Sequence, residues 1–314
     1  MNNEKKTSFK VPNIDFIGNR KIAFIIAISL ISLTFVALIA RSGLNFSVDF
    51  VGGTELQVRF DEDVRSEIAK IRQVVSNLGL GNPEVKLVAS TGGHQGTEMQ
   101  ITIKAQEQDV NVRERVSTAL NENLGAKRFE VLREETVGPR IGKELQADAL
   151  KAVILSIIVI VGYLAIRFKY PYGIASIVAQ THDAIICVGL FAITGWEFSI
   201  PALAAILTVV AYSINSTIVI FDRVRENLGN RALAKMSFED LVNKSINETF
   251  TRNIVTTGST LFVVLSILFV FFGSGNVLET FAATLVIGFI AGTFSSLYLA
   301  CSVLVLWNKK WAIR

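Results

Sequence analysis

Residues 211–227 read AYSINSTIVIFDRVREN. An apolar helix carries a compact group of small polar side chains and runs straight into a charged segment. Tyr212, Asn215 and Asp222 are spaced by three and seven residues, which predicts one shared helical face with Ser216 beside it. In a helix long enough to cross hydrocarbon, such side chains face other protein or a watery path rather than lipid. This stretch therefore predicts a bundle of membrane helices with a polar seam.

The rest of the 314-residue chain agrees. It is 51% hydrophobic with a mean hydropathy of +0.46, a composition foreign to a soluble domain of this size. Six apolar stretches are long enough to span a bilayer, at about 22–40, 149–166, 174–193, 200–221, 254–272 and 281–306. Span one is too long for a signal peptide, and no small-residue cleavage site accompanies it, so an uncleaved anchor is expected.

Basic residues set the orientation. Lys5, Lys6, Lys10, Arg20 and Lys21 precede span one, and Arg167 and Lys169 fill the turn between spans two and three. Segment 222–253 carries Arg223, Arg225, Arg231, Lys235, Lys244 and Arg252, while Lys309, Lys310 and Arg314 follow span six. All fall on one side, which is predicted to be cytoplasmic, with both termini there. The opposite turns hold no basic residue, only Glu197 and Glu279. This pattern accounts for the net charge of +4 without nucleic-acid binding. Cys187 and Cys301 lie inside spans and read as small buried apolar residues. His94 and His182 are far apart in sequence, so neither a disulfide framework nor a metal site is expected.

The expected layout is a cytoplasmic segment 1–21, span one at 22–40, an extracytoplasmic domain at 41–147, spans two to six within 148–307 with a cytoplasmic loop at 222–253, and a tail at 308–314. In the external stretch, Thr54–Phe60 alternates like a strand and Val64–Leu78 reads as an amphipathic helix. Glu84–Thr91 and Glu98–Ala105 read as strands joined through Gly92, Gly93 and Gly96, Val110–Leu124 as a helix and Lys127–Leu132 as a last strand. The fold class is thus a polytopic α-helical membrane protein of six transmembrane helices with one small α+β domain, β-α-β-β-α-β and ferredoxin-like. Gly52 and Gly53 sit where the chain leaves span one for the first strand, allowing a tight turn and close backbone packing. They are not a phosphate loop, because the Walker spacing and GxGxxG are both absent.

Against this background, Leu44–Thr54 (LNFSVDFVGGT) resembles the signature just outside the first helix of the SecD/SecF protein-export family. His182-Asp183, Ser213–Asn215, Ile218–Asn227, Thr251-Arg252 and Gly292–Ser296 resemble its SecF branch in particular. The resemblance implies a half-transporter that pairs with a six-span SecD in a pseudo-symmetric body, within the resistance-nodulation-division superfamily. It implies an auxiliary role at the Sec translocase: using the proton motive force to promote late steps of preprotein export through SecYEG, after SecA has pushed the substrate in. YajC and YidC are further partners by resemblance. No bond-changing activity and no cofactor are implied.

One departure stands out. The family usually has Asn-Asp where this chain has Asn215-Ser216, and that aspartate is regarded as a proton carrier. A hydroxyl does not ionise at physiological pH. Either the partner's carboxylate carries the coupling alone, or the chain is a divergent paralogue, or a substitution has been introduced at this position.

The remaining candidates have bland readings beside the functional ones. Asp183, deep in span three, is a candidate proton site by burial or a lock that hydrogen-bonds neighbouring helices, Asn215 included. Arg252, ahead of Thr256, either snorkels to the interface or, as the resemblance implies, lines the transport path; with Ser216 in place of the family's anion, its expected contact is Asp222, Asp183 or a partner carboxylate. Asp222 marks the cytoplasmic exit of span four. Phe238–Phe250 is expected to be an amphipathic helix along the inner surface, with Leu241, Ile246 and Phe250 as its apolar contacts. Gly288 and Gly292 form a small-xxx-small face predicted to be a seam with span four or with SecD. The competing function classes are a translocon assembly factor without ion transport, a small-molecule exporter (which would carry twelve spans and two large external domains) and a membrane enzyme, for which no nucleophile-base pair is legible.

Overall fold

The computed structural model describes residues 13–80, 83–88, 96–104, 111–124 and 129–311. Lys5, Lys6, Lys10, Gly92, Gly93, His94, Arg314, the side chains of Lys309 and Lys310, and the expected element ends at 89–91, 105, 110 and 127–128 lie outside the described residues.

Among the described residues, six helical segments are long and apolar enough to cross a membrane. They are α1 (Arg20–Ala40), α5 (Pro139–Arg167), α6 (Tyr170–Thr194), α7 (Ile200–Gly229), α8 (Phe238–Phe271) and a composite sixth. The sixth runs through α9 (Val277–Phe294), a wide π-helical turn at Ser295–Ala300, and α10 (Cys301–Trp311). Between α1 and α5 lie α2 (Val48–Val51), β1 (Gly53–Phe60), α3 (Ile68–Ser76), β2 (Pro83–Val88), β3 (Thr97–Ile103), α4 (Val112–Leu124) and β4 (Phe129–Val137).

The four strands form one antiparallel sheet in the order β2-β3-β1-β4. Alternation along β1 sends Leu56, Val58 and Phe60 to a buried face shared with Ile71 and Val75 of α3 and Val116 and Leu120 of α4. The opposite face of β1 is Glu55, Gln57 and Arg59. Sequence periodicity found each strand and both longer helices but not the short α2, and the shifts are local: a 3-10 turn at Arg65–Glu67 precedes α3, and β4 continues to Val137.

Two expectations about helices are corrected. The segment from Phe238 is not a separate helix on the membrane surface; it is the first third of the 34-residue α8. Ser237 caps it by accepting the Asp240 amide at 3.1 Å. No proline interrupts it, and at about 1.5 Å per residue such a helix overshoots a bilayer core by several turns. Leu241 and Ile246 are apolar contacts as expected, but they are buried against Phe16, Phe221 and Val224, with Phe250 packed alongside. The N-terminal segment is bound to this overhang: Asn243 Oδ1 accepts the Phe16 amide at 2.8 Å and Asn247 Oδ1 the Ile14 amide at 2.9 Å. The second correction is α5, which starts at Pro139 rather than near 149. A proline is tolerated at a helix's first turn, where its missing N–H has no partner to lose. Ten residues of α5 therefore stand below the apolar run as a stem for the sheet domain.

One end of the bundle gathers the basic residues. Arg20 pairs with Glu239, Arg167 with Asp222 and Arg223 with Glu248. The sheet domain sits at the opposite end, where Phe46 bridges to Phe198 in the α6–α7 turn. Helices α1, α5 and α8 leave rows of Ile, Leu, Val and Phe exposed, as a lipid-facing surface requires. The composite sixth helix is the most enclosed. Cys187 and Cys301 are buried and unpaired.

Candidate functional site

The polar residues of α7 divide between two faces. Ser213 and Thr217 point inward against the sixth helix, while Asn215 is exposed and Ser216 half-buried on the flank toward α8. The single face drawn through Tyr212, Asn215 and Asp222 is therefore not one site. Tyr212 stacks near Phe289 with ring centroids 4.5 Å apart and reaches Thr260 on α8 at 3.3 Å. Asp222 is at the basic end, held by Arg167 at 2.6 Å and Arg225 at 3.5 Å.

The inward face builds a closed polar knot around Asp183, which is fully buried in α6. Its Oδ2 accepts Ser213 Oγ at 2.6 Å and Ser295 Oγ at 2.8 Å, and its Oδ1 lies 3.0 Å from His182 Nδ1. Below it, Thr217 and Ser296 hydroxyls meet at 2.9 Å, and Ser296 Oγ donates to the Ser213 carbonyl at 3.2 Å. Three elements thus converge on one carboxylate, with Asn215 taking no part. His182 Nε2 and Gln180 Nε2 are buried without a hydrogen-bond partner among the described residues.

Small residues make this convergence possible. A Cβ at Gly288 would lie 2.2 Å from Val209 Cγ2, and one at Gly292 would lie 3.0 Å from Ser213 Cβ and 3.5 Å from Asp183 Oδ2. With the Thr217–Ser296 contact, these pairs repeat every four residues along α7 and the sixth helix. Gly288 and Gly292 are therefore the seam with span four. Sequence reading singled out the glycines and Asp183, but the serines appeared only as parts of longer motifs. Their signal was the matching four-residue step in the two helices.

On the flank, the Tyr212–Thr260 and Arg223–Glu248 contacts set the register of the antiparallel α7–α8 pair. Thr256 lies level with Ser216, and Arg252 about one turn nearer the basic end. Arg252 is exposed and makes no ion pair among the described residues, so neither Asp183 nor Asp222 is its partner. Thr256 Oγ1 donates to the Arg252 carbonyl at 2.8 Å, and Thr260 Oγ1 to the Thr256 carbonyl at 3.2 Å. Those hydroxyls are satisfied within their own helix; the Asn215 amide and the Arg252 guanidinium are not.

The glycine pair forms the second candidate region, the joint between sheet and bundle. Gly52 has φ +79° and Gly53 φ +139°, both in the left-handed region that Cβ-bearing residues avoid. A Cβ on Gly53 would lie 2.3 Å from the Ile103 carbonyl oxygen, and one on Gly52 would lie 2.9 Å from Pro139 Cα. The backbones of β1, β3 and the α5 stem touch here, and Gly142, overlooked in the sequence, lets α5 close on Phe50 and Gly52. The residues ahead of the pair tie the joint to the α6–α7 turn. Asn45 and Ser47 exchange backbone bonds with Phe198 at 2.7 and 3.0 Å, and Asp49 Oδ2 accepts the Ile200 amide at 3.2 Å. Phe46 and Phe50 pack on the Phe198 ring.

Comparison with known proteins fits this geometry. Residues 116–310 match the family described as protein export membrane protein SecD/SecF, C-terminal, and residues 37–64 match the SecD/SecF GG motif. The protein translocase subunit SecF of Desulfurispirillum indicum is 40% identical over 296 residues, covering 92% of this chain and 88% of that one. SecF of Thermodesulfovibrio yellowstonii is 36% identical over 304 residues, covering 96% and 97%. The crystal structure of SecDF, a translocon-associated membrane protein from Thermus thermophilus, is 33% identical and superposes with a TM-score of 0.82. It covers 96% of this chain, which spans only 40% of that longer one. By a family match over more than half its length and by its similarity to SecF subunits over more than 90% of it, the chain belongs to the SecF branch of the SecD/SecF protein-export family.

Proposed function

We propose that this protein is one half of a two-part export motor, which joins a SecD chain in a bacterial cytoplasmic membrane and promotes late steps of preprotein passage through SecYEG with the proton motive force. The basic end of the bundle faces the cytoplasm, and the sheet domain, with ferredoxin-like strand order, stands outside. The observation that carries this reading is the flank of α7 and α8. Asn215 sits at hydrocarbon depth, uncovered, with Ser216 and Thr256 beside it and Arg252 a turn away. A bare amide there costs several kcal/mol unless another chain or water meets it. The SecD half is the chemistry that fits, since the longer SecDF chain contains both.

In this arrangement Asp183 acts first as a lock, its hydroxyl partners holding α6, α7 and the sixth helix together. The proton path runs along the α7–α8 flank, where Asn215, Ser216, Arg252 and Thr256 face a carboxylate supplied by SecD. A role as an assembly factor without ion transport draws on a single observation, Ser216 in place of an ionisable group. Purification from membranes in mild detergent tests the pairing: a one-to-one complex with SecD is expected, lost when Asn215 and Thr256 are both replaced by leucine. A stable, monodisperse chain that purifies alone with its flank uncovered would refute the half-transporter reading.

A further inference from the structure

The polar face of the sheet leans over the α6–α7 and α8–α9 turns, and the two surfaces border a half-open cavity of about 300 Å³. Glu55, Lys86, Gln100 and Glu135 line it from the sheet, Glu197 from the α6–α7 turn and Glu279 from the start of α9. We propose that this seam is a proton-operated latch, closed onto the membrane body when Glu55 is neutral and loosened when Glu55 ionises beside Glu135 and Glu197.

Glu55 on β1 stands directly opposite Glu135 on β4, an arrangement of like charges that strand pairs ordinarily avoid. From across the seam comes Glu197, whose Oε1 is buried without a hydrogen-bond partner among the described residues, 3.5 Å from Lys86 Nζ and with the Glu84 carboxyl beside it. The other charged groups around the cavity are already engaged. Lys86 also holds Glu84 at 2.9 Å, and Lys104 holds Asn45 Oδ1 at 2.6 Å and Glu84 at 3.9 Å. Arg133 pairs with Glu135. Glu279 accepts the Gly273 and Gly275 amides at 2.8 and 2.9 Å, and Asp49 accepts Ser47 Oγ and the Ile200 amide. Glu55 thus meets two carboxylates, and the cations nearest it are each held by another carboxylate.

The titration of these groups follows. Burial, then the charges of Glu197 and Glu135, push Glu55 up to about 7. Glu197 is raised as well, by burial first, with Lys86 and Lys104 opposing. Burial also works on Glu84, yet the bond from Lys86 and its charge hold that carboxyl below its usual range. With the seam open, Glu55 loses its burial and the charge of Glu197, so its pKa falls back toward the ordinary carboxyl value while Glu135 stays opposite it on the sheet. The closed state therefore binds the proton more tightly, so closure is most favoured at low pH and weakens as pH rises through about 7. An acidic exterior would close the domain down onto the α6–α7 turn, next to the joint at Gly52 and Gly53.

The test uses the full chain with its partner in lipid nanodiscs, spin-labelled at Glu130→Cys on β4 and Phe272→Cys beside the α8–α9 turn, both exposed positions. A single short distance is expected at pH 5, with the closed-to-open ratio falling roughly tenfold or more by pH 8. Glu55→Gln, which keeps the size and can still meet Gln100, should give the short distance at both pH values. Glu197→Gln should move the transition to lower pH. A distance distribution that is the same at pH 5 and pH 8 in the parent, or a Glu55→Gln variant that opens with pH as the parent does, would overturn the proposal.

Discussion

Two neighbouring positions of α7 carry opposite duties. Ser213 is inside, donating 2.6 Å to Asp183, while Ser216, three residues on, faces the flank near Arg252. If the partner supplies the proton-carrying carboxylate, Ser216 contributes little by itself. Ser216→Ala should change preprotein translocation by less than about twofold, in keeping with a substitution that breaks no buried bond. Ser216→Asp introduces a carboxylate within reach of Arg252 and should raise the share of translocation that depends on a proton gradient. A large loss from the alanine change would mean that the hydroxyl itself is needed, as a sodium ligand or a link in a water chain, and the partner-carried account would fall. Residue types alone singled out Asp183, a carboxylate ten residues into an apolar span, as either a lock or a proton site. They did not show that two hydroxyls from distant helices end on one oxygen, since that depends on the register between helices.

At the scale of elements, the joint between sheet and bundle is the part most dependent on backbone shape. Gly53 combines φ +139° with a Cβ position 2.3 Å from the Ile103 carbonyl oxygen, so no rotamer change relieves a substitution. Gly53→Val should destabilise the external domain by about 2 kcal/mol or more, the left-handed penalty of about 1–2 kcal/mol adding to the clash. Thermal unfolding of the purified complex would read this as a lowered transition, and export in cells lacking the parent gene should fall with it. Full complementation by the valine variant would contradict the account of the joint. The pair was legible in sequence because two adjacent glycines between a span and a strand signal a special turn. Pro139 and Gly142, which complete the joint, were not, because they adjoin it only after the sheet has folded and returned the chain. Likewise the overhang of α8 carries the polar composition of a surface helix. Its burial against Phe16 and Phe221 is a long-range fact that periodicity does not contain.

At the scale of the molecule, six apolar helices, an antiparallel four-stranded domain and a basic end opposite that domain follow from hydropathy, alternation and charge placement. These signals are local and repeat along the chain. In the proposed pairing the uncovered Asn215 and Arg252 face the SecD half, and a sequence read alone gives no measure of cover. Joined to SecD, this protein is proposed to turn a proton gradient into preprotein movement. The most direct measurement is translocation of a preprotein into inverted membrane vesicles that contain SecYEG, SecA and SecD, with and without this chain, and with the gradient imposed or collapsed. The account predicts a gradient-dependent increment in late translocation that appears only when the chain is present. An increment of the same size in vesicles lacking the chain, or a contribution from the chain that survives collapse of the gradient unchanged, would contradict it.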